Sequence, residues 1–524
     1  MKKVKYIVFF FVLLCTFNTY ALKSSDTKLT ERSICPKLEL AKAQADESIL
    51  SIACYDNYTD AKNKMKEMAD NDLIILERSN NVTRIIDAKY ALVYLDRGDV
   101  LTYLYSSSAL NSTITYMNNY ASYGATDGAL IEINYGNKAA KIRLGGVTGW
   151  IRESSYKIIP ISWVKSHSYY KINDNGVYHY YAKNIENTGY SQSSRLLGPK
   201  PDFEIANKNY QSYDGIYFYN NFIDMIDDYK MESHDKSVNK DHAYYNYYLY
   251  LPHRSKTNYD IDDMDAYIRN VLNFKGSIYG KMYVNGYSTI YGASEYFMFA
   301  EKMYGTNALM AFSLSRNESA NGQSSIAINK NNIFGHNAVD GAAYSSATEY
   351  LDIRSSIYTH GYGYVNYGYA RVADSRYHGS HFGNKNTGMN VMYASDVFWG
   401  EKAASFYYSF DRDNGMFDYN YYQLIVSKYS NINVRTSPSM TSPVSYMIKQ
   451  AGIPFIVLEE VEGAMVDGNN IWYKIQSDSN IDSKGQLIGS NSSTWPQYNW
   501  EGALYVHSSF FEKINDAKKR RWYI

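Results

Sequence analysis

Cysteine is nearly absent: Cys15, Cys35 and Cys54 are the only three in 524 residues. Cys15 lies in an apolar leader, so two early cysteines remain; an oxidising compartment would let them pair, and they could equally stay free. None is placed to suggest a catalytic thiol. Charge of either sign is not in excess either, with Lys plus Arg and Asp plus Glu at 53 each. Nothing in that balance suggests nucleic acid as a partner. Long apolar runs are missing too. The one candidate, Ile7 to Phe17 in MKKVKYIVFFFVLLCTFNTYA, is short for a membrane span. It follows Lys2, Lys3 and Lys5 and precedes the small residues of Thr19-x-Ala21, so residues 1–21 read as a secretory signal with no membrane anchor expected. Leu14 in front of Cys15 is too large for a lipidation box.

Tyrosine is what the chain has in abundance, 57 residues, in strings such as YYNYYLYLP (244–252) and YGYVNYGYA (362–370). One reading is half-buried amphipathic structure; the other is hydroxyl-lined clefts that stack on sugars. The length favours several domains. Residues 22–97 read as a small α/β module, with TDAKNKMKEMA as its helix and DLIILER among its strands. Short alternating segments with Gly-rich turns over 98–160 predict a small β-barrel, and 161–280 predict a Tyr-rich extension, with SYYKINDNGVYHYY as a hairpin across Asn-Gly. From Tyr291 the period becomes 3.6, and ALMAFSLSRNE predicts a second helix ending on Glu318. Beyond Asp413 the chain returns to short strands over 425–515, and the basic tail KKRRWYI reads as a solvated end.

Glu318 sits in LSRNESANGQSSIAINKNNIFG. A glycosidase needs a carboxylic acid held protonated near neutral pH. An apolar helix face supplies desolvation, and a helix C-terminus opposes negative charge, so both raise the pKa of an acid placed there. The amides and hydroxyls that follow could line a saccharide groove. From spacing alone, a surface glutamate at a frayed helix end is an equally admissible reading.

The block from Gly292 to Tyr408 resembles the endo-β-N-acetylglucosaminidase domain of bacterial autolysins, glycoside hydrolase family 73. The matching stretches, in the family's order, are ALMAFSLSRNESANGQSSIA, KNNIFGHNAVD and GMNVMYASDVFWGEKAA. The resemblance implies a goose-lysozyme-like α+β fold over 281–413, Glu318 as general acid, and Tyr393 in the cleft. It also implies that Asn332, Phe334 and Gly335 shape the groove beside the acid, with Asn337 and Trp399 as further substrate contacts; core packing is the alternative for Trp399. The second catalytic group stays open: Glu349 and Asp340 lead Asp352 and Asp374, and the substrate's own 2-acetamido group could serve instead. Asp396 reads as structural. His336, His360, His378 and His381 lack the pattern of a metal site, and neither metal nor cofactor is expected. GGVTGWI (145–151), NVRTSP (433–438) and WYKI (472–475) resemble strands of bacterial SH3 domains. The whole is then expected to be a secreted, cell-wall-associated hydrolase acting on peptidoglycan glycan strands and stem peptides. A lytic transglycosylase and a non-catalytic wall-binding protein are the alternatives.

Overall fold

The computed structural model describes residues 35–79, 82–95, 101–118, 127–188, 193–201, 203, 205–272, 277–278, 281–282, 288–338, 342–489 and 497–518. The chain divides into two units, Met1–Lys89 and Tyr90–Ile524.

In the first unit, β1 (Leu38–Ala43), β2 (Ile49–Tyr55), β3 (Leu73–Ser79) and β4 (Val82–Ala88) form an antiparallel sheet of order β2-β1-β3-β4. Helix α1 (Tyr58–Glu67) starts at Asn57, whose side chain accepts from the Asp60 amide, and buries Ala61 and Met65. Cys35 and Cys54 form a disulfide, with Cα atoms 5.4 Å apart. The four apolar residues of β5 (Ala91–Tyr94) belong to the second unit: they pair with β8 (Asp127–Asn134) and β11 (Lys157–Pro160). The boundary read from the sequence at 97 therefore falls earlier. A short, wholly buried strand fits the end of one module as well as the start of the next.

With β6 (Leu101–Tyr105), β7 (Thr113–Asn118), β9 (Ala139–Leu144) and β10 (Val147–Arg152), these strands make an antiparallel seven-stranded sheet of order β11-β5-β8-β9-β10-β6-β7. Its strand ladder is open among the described residues, where the sequence led us to expect a small closed barrel. A four-stranded sheet follows, of order β14-β13-β12-β15, from β12 (Tyr169–Asn173), β13 (Gly176–Tyr181), β14 (Ser193–Gly198) and β15 (Lys208–Tyr210). Its predicted hairpin turns on Asp174 and Asn175, and Gly176 already pairs with Asn173.

Helices α2 (Phe222–Met231), α3 (Tyr247–Tyr250) and α4 (Ile261–Val271) and the short pair β16 (Ser277–Ile278) and β17 (Lys281–Met282) lead to the helical core. That core holds α5 (Ser294–Tyr304), α6 (Ala308–Glu318), α7 (Ser325–Lys330), α8 (Ala343–Ser346), α9 (Ile353–Thr359), a π-helical stretch over His360–Tyr369, and α10 (Trp399–Asp413). Phe297, Phe312, Phe334, Tyr407 and Phe410 are buried in one cluster between these helices. The chain closes with β18 (Gln423–Ser427), β19 (Ile432–Arg435), β20 (Val444–Ile448), β21 (Pro454–Val466), β22 (Asn469–Gln476), β23 (Ala503–His507) and β24 (Phe511–Lys513). These also form an open antiparallel sheet among the described residues, of order β20-β19-β23-β22-β21-β18-β24.

Arg254 ties this last sheet to the helices. Its guanidinium is buried and donates to the carbonyls of Asp478, Tyr304 and Gly305 and to Asn366 Oδ1, at 2.6 to 3.0 Å, and lies 4.2 Å over the Tyr498 ring. Four acceptors on three separate segments thus share one cation. Arg254→Met should leave them unsatisfied and lower the stability of the Tyr90–Ile524 unit by about 3 kcal/mol or more, read from the denaturant midpoint. Arg254→Lys should recover only part of it, because an ammonium cannot span the same fork.

Candidate active site

Helix α6 carries one acid at its last position. Asn307 caps its start by accepting from the Met310 amide, and residues 308 to 316 are all buried. Arg316 leaves the apolar face to bind Asn321 Oδ1 (2.9 Å) and the Tyr267 hydroxyl (3.1 Å). The chain then turns through left-handed Ala320 and Asn321. Ser319 Oγ bonds the Ser315 carbonyl and accepts from the Gly322 amide, and Ser324 caps α7. The polar run after Glu318, expected along a saccharide groove, thus largely uses its hydrogen bonds within its own turn.

Glu318 is half-buried. Its hydrogen-bond partner is the Trp399 indole, which donates to Oε1 from the first residue of α10. Burial pushes the carboxyl up to about 7; the indole N–H pulls it down, Asp396 raises it and Lys402 lowers it. Asp396 and Lys402 pair with each other at 2.5 Å. Glu301 is also raised to about 7 by burial. It is 5 % exposed, however, and accepts from the amides of Thr257 and Ala308 at 3.0 Å each, so it buttresses the start of α6. Exposure and bonding distinguish the two acids, since Glu318 is only half-buried and accepts from one donor among the described residues.

The loop 332–338 closes in on Glu318 at Gly335. That residue has φ +64°, and a Cβ there would stand 3.0 Å from Glu318 Oε2. Both the left-handed backbone and the close approach favour glycine there. Asn332 and Phe334, expected to shape the groove, are buried behind the loop. Asn332 donates to the carbonyls of His336 and Thr348 and accepts from the His336 amide, at 2.9 to 3.0 Å, and Phe334 stacks on His360 at 3.9 Å. Their part is to fix the loop rather than to meet a ligand. Asn337 is exposed, left-handed at φ 60°, and donates to Thr348 Oγ1 at 2.8 Å.

Tyr393 is half-buried, donates to the Phe334 carbonyl at 3.0 Å and stacks on Trp399 with ring centres 4.5 Å apart. Burial and the Glu318 charge hold its phenol well above the ordinary range, so it acts as a neutral donor. Trp399 is 2 % exposed and has no free face for a pyranose; its role is to hold the acid. Glu349 is exposed on a segment tied to the loop by Asn331 and Asn332, and Asp340 lies outside the described residues. Asp352 caps α9, and Asp374 pairs with Arg376. His336 and His360 meet at 3.2 Å, both driven toward the neutral form by burial. His378 bonds Gln450 and His381 faces Thr387. Among the described residues no three His, Cys, Asp or Glu side chains converge as metal ligands.

Two lysines missed from the sequence support this arrangement. Lys402 pairs with Asp396 and partly offsets its charge at Glu318. Lys385 is buried, its pKa lowered to about 7 by burial, and its Nζ donates to the carbonyls of Asn390 and Ala394 on the loop that presents Tyr393. The same loop is gripped from β7: Thr115 Oγ1 donates to the Val391 carbonyl (2.7 Å), Tyr116 to Met392 (3.1 Å), and the Asn118 amide to Ser395 (2.9 Å). A lysine whose partners are backbone carbonyls leaves no pattern in sequence.

No protein-family profile matches the chain. It is similar to two curated proteins of Streptococcus pneumoniae, strains TIGR4 and R6, each named "Putative endo-beta-N-acetylglucosaminidase": 30% identical over 272 residues, 51% of this chain and 34% and 32% of theirs. The chain thus spans about a third of the length of these relatives. Among solved structures, crystal structures of S. aureus autolysin E, one of a catalytic mutant with the disaccharide NAG-NAM and one with a muropeptide, are 16% and 17% identical. They cover 32% of this chain and 73% of theirs, with TM-scores of 0.23 and 0.24.

Two outcomes follow from the raised Glu318 carboxyl. Its folded value of about 7 stands above the ordinary 4.5, so its contribution to stability falls as pH rises between those values and stays reduced above them. Glu318→Gln should therefore be more stable than the parent at pH 8, by at most about 3 kcal/mol, with the gap closing below pH 5 in thermal melts. Trp399→Phe removes the donor that favours the charged form. It should raise the alkaline limb of any Glu318-dependent pH-rate profile by about one unit.

Proposed function

We propose that the chain is a secreted, cell-wall-associated peptidoglycan hydrolase. It cleaves the β-1,4 bond between N-acetylglucosamine and N-acetylmuramic acid, with Glu318 as general acid. The observation that carries this reading is the Glu318 carboxyl itself, half-buried, raised to about 7 and approached by a loop glycine. At neutral pH a large fraction of such an acid is protonated, and it can give its proton as charge develops on the glycosidic oxygen. The name of the pneumococcal relatives points to the same chemistry. In this reading residues 281–413 form a goose-lysozyme-like domain of the family 73 type, and the sheets over 98–160 and 425–515 are SH3-like wall-binding modules. Modules that hold an insoluble substrate raise its local concentration without new contacts at the acid.

Glu318 protonates the leaving oxygen of N-acetylmuramic acid. Trp399 and Tyr393 keep the carboxyl and the loop in place, and the Asp396–Lys402 pair biases its proton. Water completes the cleavage, assisted by Glu349, Asp340 or the substrate's 2-acetamido group. Among the described residues no second carboxyl bonds Glu318, which also suits a lytic transglycosylase working with one acid. Muropeptides released by the parent and by Glu318→Gln, analysed by mass spectrometry, separate these chemistries. Hydrolysis leaves reducing N-acetylglucosamine ends, and a transglycosylase leaves anhydro-muramyl ends. Glu318→Gln should lose activity by about 10²-fold or more. Full activity in that variant would overturn the assignment.

A further inference from the structure

The loop that reaches Glu318 is held from behind by two buried histidines that the proposed chemistry does not use. Phe334 and His336 flank Gly335, and each lays its ring on the π-helical stretch. Phe334 stacks on His360 at 3.9 Å and His336 on Tyr364 at 3.8 Å, both nearly parallel. Between these stacks His336 Nε2 meets His360 Nδ1 at 3.2 Å, and the Tyr350 hydroxyl meets His336 Nδ1 at 2.7 Å. Burial holds the Tyr350 phenol well above its ordinary range, so it keeps its proton. The line then closes with one proton per gap: Tyr350 O–H to Nδ1 of His336, and Nε2–H of His336 to Nδ1 of His360. Two neutral imidazoles satisfy it in full.

The groups around the couple offer no counter-charge. Tyr364 faces it from the π-helical stretch, Tyr350 from the segment before α9, and Tyr393 from its own loop, with ring centres 6.4 Å from His360. The charge felt at Tyr364 is Arg376, itself paired with Asp374. From the chain after α3 come His253 and Arg254, both buried; burial first, and then His360, Arg254 and His381, hold the His253 imidazole well below its ordinary range. Glu318 meets the loop at the Gly335 backbone, and Asp340 lies outside the described residues. Neither ring pairs with a carboxylate among the described residues. A first proton thus places a charge among neutral rings with no anion to receive it. A second would set N–H against N–H across the 3.2 Å contact.

We infer that the His336–His360 couple is an acid-released latch on the Gly335 loop. While both imidazoles are neutral it keeps Phe334 and His336 on the π-helical stretch and Gly335 against Glu318; on protonation the loop leaves the stretch and the rings reach water. The effect on cleavage rests on the function proposed above, since withdrawal of Gly335 would stop turnover in acid. The latch itself belongs to the loop and stands without that reading.

Burial lowers His360 to about 3, and burial followed by His360 holds His336 well below its ordinary range. Both folded values lie below the ordinary 6.5, so the closed loop is fully favoured above 6.5. Below it, closure weakens about tenfold per pH unit for each proton that the open loop takes up.

Hydrogen exchange of the full chain, followed by mass spectrometry and corrected for intrinsic pH dependence, tests this at the amides of His336, Ala338 and Thr348. These donate to Asn332 Oδ1 and to the Gly335 and His336 carbonyls at 3.0 Å each. Between about pH 6.5 and 5 their protection should fall at least about tenfold, reversibly, while the α6 amides keep theirs. His336→Phe or His360→Phe removes one titrating ring and should make that fall at least about threefold smaller. Tyr350→Phe, at a half-buried position, keeps both imidazoles but removes the bond that favours neutral His336. In that variant the fall should begin about half a pH unit or more higher. Unchanged protection over this range, equal losses in the loop and α6, or a parental profile in folded Tyr350→Phe or in either folded histidine variant would each overturn the inference. Muropeptide release at neutral pH by the parent and Glu318→Gln reports on the acid separately, so failure of the latch is distinguished from failure of the proposed chemistry.

Discussion

A carboxylate taken out of water must have its lone pairs filled, and here phenols fill them. Asp411 accepts from Tyr248 (2.7 Å) and Tyr259 (2.5 Å), Asp418 from Tyr407 (2.8 Å), Asp127 from Tyr213 (2.6 Å), and Asp478 from Tyr377 (2.9 Å). Glu401 in the first turn of α10 accepts from Tyr170 and Tyr181 and pairs with His179, so the helix is tied to the four-stranded sheet. Most of these bonds join segments far apart in the chain. A tyrosine gives an apolar ring to a core and a donor to an acid at its edge, where phenylalanine would leave the acid stranded. Part of the chain's tyrosine meets that requirement.

Glu318 is the departure from this pattern, and function enters there. Asp411 and Glu401 each have several donors. Glu318 has one indole, and burial raises its proton affinity against that single donor. The fold gives this acid fewer donors than Asp411 or Glu401, and the side chain is held in place by its neighbours. The local cost is tolerated because α6 is buried along nearly its whole length and anchored at its start by Asn307 and Glu301.

Much of this was legible in the sequence where the signal is local. The helices that precede and end on Glu318 follow from a 3.6 period, and the hairpin over 169–181 from its turn residues. The acid itself stood out because its motif is contiguous. What could not be read depends on facing direction and on backbone partners. Trp399 could be a sugar platform or core, and its burial and its bond to Glu318 decide between them. Asn332 and Phe334 follow the acid's motif in sequence but are buried against their own loop and His360. Ser319, Asn321 and Ser324 after Glu318 serve their own turn. Lys385 and Lys402 carry no pattern because their partners are carbonyls and a nearby aspartate. Four buried residues do not say which sheet they join, and only pairing with β8 and β11 places β5 in the second unit.

The grip of β7 on residues 391–395 has a consequence for how such a protein is inherited and cut. Gly145 belongs to the same arrangement: its carbonyl accepts from the Lys385 amide, and a Cβ on it would meet Val397. The loop that presents Tyr393 is thus built from two stretches of chain separated by more than two hundred positions. The acid-bearing helices are not a cassette that recombination could move intact. A partner sheet must travel with them, and modular duplication would have to copy both at once.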